Sequence, residues 1–141
     1  MPSYYAEKIR GVENPKVALL NNGAEDDKGD ELHQEAYKLL KESDLNFIGN
    51  IEGNELMTGK ADVVATDGFS GNIALKSIEG MSSVLLHSLK DSLLNNGLMT
   101  KVGALLIKNA VSDLRSKYDT AKHGGAVLMG VNAPVVKTHG R

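Results

Sequence analysis

The chain has 141 residues, 41% of them hydrophobic and 24% charged, with a formal charge of −2 and no cysteine. That length fits one α/β domain, residues 1–141, with a real apolar core, and the composition excludes disorder. The near-neutral charge argues against nucleic acid, the absence of cysteine removes disulfides, thiol nucleophiles and cysteine metal sites, and no apolar run approaches the ~20 residues that cross a bilayer.

Asn14-Pro15 is a turn signal, and Lys16 to Asn21 reads as a buried strand ended by Asn22-Gly23. Gly29 to Glu42 spaces Leu32, Ala36, Leu39 and Leu40 as one face of an amphipathic helix. Asn46 to Ile51 is a second short strand, and Glu52 to Lys60 leaves room only for a cramped crossover. Ala61 to Thr66 is a third strand, rich in β-branched residues, that runs into the turn Asp67-Gly68-Phe69-Ser70-Gly71-Asn72. From Ser70, apolar residues at 78, 81, 85, 89 and 93 predict a long helix ended by Gly97. A second helix over about 99–117 would complete a protruding helical hairpin within residues 70–117. After Gly124-Gly125, Ala126 to Gly130 and Val135 to Thr138 read as the last strands.

Strands alternating with helices predict a largely parallel sheet with helices on both faces. Ligands of such sheets bind outside the carboxyl ends of the strands, which puts residues 21–28, 52–53 and 67–72 on one rim. The turn at 67–72 is the strongest candidate: a helix start offers free N–H groups and a positive dipole end, glycines admit a phosphate, and Ser70 and Asn72 add polar groups. Plain helix capping explains the same residues, and this turn alone leaves both readings open. The loop from Asn21 to Gly29 carries Lys28, suited to holding phosphate or polarising a carbonyl, against the plainer reading of a solvated polar loop.

Other motifs fail on spacing. No Walker sequence or dinucleotide fingerprint is present, and an EF-hand turn at Gly29 would put Ala24 where an oxygen ligand is required. His33, His87, His123 and His139 share no metal-ligand spacing, and His87 reads as structural. His139, beside Gly140, is a candidate for the cleft or a simple loop histidine. On the second hairpin helix, Lys101, Lys108 and Arg115 recur by sevens beside Leu98, Val102, Leu105 and Leu106. That pattern fits docking on an anionic membrane surface or an acidic carrier protein, against the plainer reading of a helical-hairpin dimer interface with solvated lysines.

The ordered blocks Asn14 to Asn21, Glu25 with Lys28-Gly29 and Glu31-Leu32, Asn46 to Asn50, Ala61 to Val64, Asp67 to Phe69 with Gly71-Asn72, and His123 to Ala126 through His139-Gly140 resemble the PlsX-type phosphate acyltransferases. The resemblance implies transfer of an acyl group from acyl-acyl carrier protein to inorganic phosphate, giving acyl phosphate for phospholipid synthesis, with no cofactor and no metal. It also implies a fold similar to that of isocitrate dehydrogenase and phosphate acetyltransferase, a homodimer, and a cytoplasmic, peripherally membrane-associated location. Lys28 and Asn72 then fall in catalytic positions, and Gly23, Glu25, Gly29, Asp67, Gly68, Ser70, Gly71 and His139 in the phosphate site. Asn22 and Ala24 depart from the family's usual Ile and Glu. Family members are more than twice as long, so the chain is expected to be a fragment of a two-domain enzyme. A phosphate- or carrier-binding module without turnover is the alternative for the fragment alone.

Overall fold

Asn14 takes a left-handed backbone (φ 47), a conformation that its short polar side chain tolerates, and so turns the chain into β1, Val17–Leu20. Every residue of β1 is buried, as a central parallel strand covered on both faces requires. In the computed structural model, which describes residues 2–95, 97, 103, 107, 109, 111–113 and 125–138, β1 lies between β2, Phe47–Ile51, and β3, Val63–Ala65. Both neighbours run parallel to it, with Leu20 opposite Ile51 and Leu19 opposite Ala65, so all three carboxyl ends open on one edge.

Two compact units divide the chain, Met1–Asn72 and Ile73–Arg141. In the first, the crossover from β1 to β2 is the helix α2, Glu31–Lys41, which starts on the N-cap Asp30. The crossover from β2 to β3 has no room for an α-helix and uses a 3-10 turn, Gly53–Glu55, closed by a reciprocal capping box between Glu52 and Glu55. The helix α1, Pro2–Lys8, does not show in the sequence pattern; it opens on Pro2, which suits a first helical position, and buries only Ala6. The three-stranded parallel sheet with flanking helices is the expected α/β class.

The long helix α3, Gly68–Asn95, begins in the first unit and supplies the main element of the second, and Gly97 follows it at φ +90. Residues 103, 107, 109 and 111–113 are also helical; the rest of the expected second hairpin helix lies outside the described residues. The last two strands, β4 (Ala126–Leu128) and β5 (Val135–Lys137), do not extend the parallel sheet. They pair antiparallel with each other, Ala126 opposite Lys137 and Leu128 opposite Val135, because Val131 to Pro134 forms a turn too short for a crossover. Among the described residues, no helix is long and apolar enough to cross a membrane.

Candidate functional site

The loop between β1 and α2 is held at several points along its length. The Asn21 amide donates to the Lys28 carbonyl (3.0 Å), and the buried Asn50 of β2 donates to the Glu25 carbonyl (2.7 Å). From α2, the Gln34 amide reaches the carbonyls of Asp27 (2.9 Å) and Gly29 (3.2 Å). Tyr37, buried edge-on against Phe47, donates its hydroxyl to Asp26 (2.5 Å), whose other oxygen meets Lys41 at 3.0 Å. The Tyr37 hydroxyl first, then Lys41, hold the Asp26 carboxyl below the usual carboxylate range. A loop fixed by its own backbone carbonyls presents its side chains in one arrangement, as a binding surface needs.

Two glycines in this loop are closely approached by neighbouring side chains. Gly29 sits at φ +87, and a Cβ there would come within 2.6 Å of both the Asn21 side chain and His33 Cβ. A Cβ on Gly23 would meet the Lys28 stem at 2.7 Å. Lys28 therefore lies folded over Gly23, its ammonium 3.9 Å from Glu25 in a loose, half-exposed ion pair.

The turn after β3 is capped by Asp67. One carboxylate oxygen accepts the amides of Phe69 and Ser70, both at 2.8 Å, and the Asp67 carbonyl accepts that of Gly71 at 3.0 Å. Asp67, rather than Ser70, is the capping residue, and its carboxylate already takes two of the N–H groups that the helix start offers to an anion. Hydrogen bonding from Ser70 first, then from the Phe69 amide, with His33 nearby, holds the Asp67 carboxyl below the usual range. Gly71 lies close against Thr66, where a Cβ would come within 2.6 Å of Thr66 Cγ2 and force that side chain to move.

Between the loop and the turn lies an open pocket of about 380 Å³, lined by Leu20, Asn21, Asn22, Gly29, Asp30, His33 and Ser70. Of the expected phosphate-site residues, Gly29 and Ser70 line it. Gly23, Glu25 and Lys28 form a cluster in the same loop outside the lining, Asp67 caps the turn that carries Ser70, Gly71 packs against Thr66, and Gly68 and Asn72 are exposed at the start of α3. His139 lies outside the described residues, as do Leu98, Lys101, Val102, Leu105, Leu106 and Lys108. Asp30 and His33 were not expected here. Their signal was the spacing Asp-x-x-His, which fits an N-cap and the third helical position: Asp30 Oδ1 accepts the His33 amide at 3.0 Å and lies 2.6 Å from His33 Nδ1. Among the described residues, no group of three or more His, Cys, Asp or Glu side chains could hold a metal ion.

A parallel α/β sheet with a pocket at its carboxyl edge, between a fixed loop and a capped helix start, has the arrangement in which sheets of this class place their ligands. The chain belongs to the fatty acid synthesis protein family, whose model it matches over residues 1–141. It is 73% identical over 141 residues to a phosphate acyltransferase of Lactobacillus acidophilus and 72% identical to one of Lactobacillus helveticus, in each case covering all of this chain and 42% of the relative. A phosphate acyltransferase of Latilactobacillus sakei is 51% identical over 99% of the chain. The chain thus spans 42% of the length of these curated relatives.

Proposed function

We propose that this chain is part of a two-domain acyltransferase that moves a fatty acyl group from acyl-acyl carrier protein to inorganic phosphate, yielding acyl phosphate for phospholipid synthesis. The observation that carries the reading is the rim pocket. It lies between the loop that carries Lys28 and the turn that leads to Asn72, neither residue itself lining it, at the carboxyl edge of the sheet in a chain 73% identical to a phosphate acyltransferase.

The reaction needs a cation or N–H donors for phosphate, and a donor for the oxyanion that forms when a phosphate oxygen attacks the thioester carbon. The C–O bond to phosphate forms, the C–S bond breaks, and the carrier leaves as a thiolate that takes up a proton. Because Asp67 already uses the Phe69 and Ser70 amides, phosphate recognition falls to side chains: Lys28, exchanging its loose contact with Glu25 for the stronger charge of phosphate, and Asn72 at the start of α3. Inorganic phosphate is an anion at neutral pH and needs no general base.

Replacing Lys28 or Asn72 by Ala in the longer protein tests this. Loss of one charge-assisted hydrogen bond, about 1.5–3 kcal/mol, lowers kcat/KM for phosphate about 10- to 100-fold. Unchanged acyl-phosphate formation in both variants rejects the assignment. Since this chain covers 42% of its relatives, the second reading for the chain alone is a phosphate- or carrier-binding module without turnover. Calorimetric titration of phosphate and acyl carrier protein, with acyl loss followed in parallel, separates the two. The reading also includes a homodimer and a cytoplasmic, peripherally membrane-bound location, with the apolar and basic residues of 98–108 contacting an anionic surface. Vesicle sedimentation that weakens as salt rises is the expected result.

A further inference from the structure

The most unusual side chain at the rim is one that the proposed chemistry leaves unused. His33 stands between the caps of two helices. Its Nδ1 is 2.6 Å from Oδ1 of Asp30, the cap of α2, and its Nε2 is 3.8 Å from Oδ2 of Asp67, the cap of α3. The ring is largely buried, with 18% of its side chain exposed, and its Cβ is wedged against Gly29. Asp67 Oδ1 is fully engaged by the Phe69 and Ser70 amides, whereas the buried Oδ2 has no hydrogen-bond partner among the described residues. Among the described residues, His33 is the one group within ion-pair distance of that oxygen.

We propose that His33 is a proton-operated positioning residue, which ties the caps of α2 and α3 together across the rim pocket when its ring is charged. A 2.6 Å contact needs a proton between the two atoms, and because the Asp30 carboxyl is held below its ordinary range that proton belongs on Nδ1. In the neutral ring that leaves a lone pair on Nε2 facing the Asp67 carboxylate, two acceptors that hold each other apart. In the imidazolium both nitrogens donate, and the 3.8 Å gap can close to a hydrogen bond of about 2.8 Å. Asp67 cannot move without the amides it caps, so the proton on His33 sets the orientation of Phe69 and Ser70, and Ser70 lines the pocket. The charged groups facing the ring are Asp30 from its own helix and Asp67 from the turn before α3. Lys28 and Glu25, on the loop that closes the same pocket, pair with each other.

The test is an NMR titration of this chain from pH 5 to 8. The expected result is that the Phe69 and Ser70 amide resonances shift with the same midpoint as the His33 ring protons, and that the shift is absent in His33→Gln. In Asp67→Asn, which keeps a cap acceptor but removes the charge, the shift is reduced. Unperturbed β1 amides establish that each variant is folded, and the wild-type titration stands without any variant. Phe69 and Ser70 amides that stay still while His33 titrates, or that move equally in His33→Gln, overturn the proposal. Its consequence for phosphate rests on the proposed function and is read separately, as a pH dependence of phosphate affinity in the longer protein that His33→Gln flattens. The amide titration needs no ligand, so either can fail alone.

Discussion

Replacing Gly29 by Ala strains the backbone and also displaces the contacts that hold the rim loop, and the two costs can be measured apart. Gly59 has a similar conformation, φ +76 against +87, but a Cβ there meets nothing within 4 Å. Ala in this left-handed region costs about 1–2 kcal/mol at either position. At Gly29 the new methyl must also displace Asn21, whose side chain holds the Lys28 carbonyl and the Asn22 amide. Losing two hydrogen bonds at about 0.5–1.5 kcal/mol each brings the expected cost at Gly29 to about 2–5 kcal/mol. Native-state hydrogen exchange at the amides of Ala18 to Leu20, in the buried central strand, measures the opening free energy of each variant. Equal losses for Gly29→Ala and Gly59→Ala would refute the claim that the loop is packed around Gly29.

Removing the α3 cap with Asp67→Ala should cost about 0.5–2 kcal/mol and speed exchange at the Phe69 and Ser70 amides, with Asp67→Asn recovering most of the loss. Asp26, Asp30 and Asp67 all have carboxyls held below their ordinary values in the folded state, so the stability they contribute is present above the unfolded value of about 3.9 and is lost as pH falls through the folded values. Acid titration followed by circular dichroism should show that loss beginning near pH 4 and going further below it. Because the Tyr37 hydroxyl is the main cause at Asp26, Tyr37→Phe should return that carboxyl toward its ordinary range, read from its carbon shift; an unmoved Asp26 contradicts the assignment. Lys28→Ala, an exposed change, should leave the stability of this chain within about 0.5 kcal/mol even though it lowers turnover in the longer protein.

Where local pattern and tertiary demand agreed, the fold was legible. The run from Lys16 to Asn21 is apolar on both faces because β1 is the central strand, and Gly97 marks the end of α3 because its φ of +90 suits glycine. Periodicity says which residues share a face but not what covers that face. Leu32 and Leu39 were spaced to meet a core, yet both are more than 60% exposed in this chain, and the buried residue of α2 is Tyr37. Tyr37 is drawn inward by Phe47 on β2 and by Asp26 in the loop, neither of which a helical repeat can see.

The site shows the same division more sharply. Glycine spacing and strand order correctly brought the loop after β1 and the turn after β3 to one edge, since both follow from parallel strands. The ownership of the turn's amides was not legible, because Asp67 is both the last residue before a helix and a carboxylate, and only coordinates show that it turns back onto Phe69 and Ser70. Under the proposed function this shifts the expected anion contact from the helix start toward side chains. A phosphate placed at the Ser70 amide would have to displace a carboxylate whose affinity for a proton is lowered by those same contacts, and so one that is well satisfied as an anion. Lys28, held only by a 3.9 Å contact with Glu25, has far less to give up. The residue that can most readily change partners is therefore the cation, and under the proposed function the first contact expected of an incoming phosphate is with Lys28.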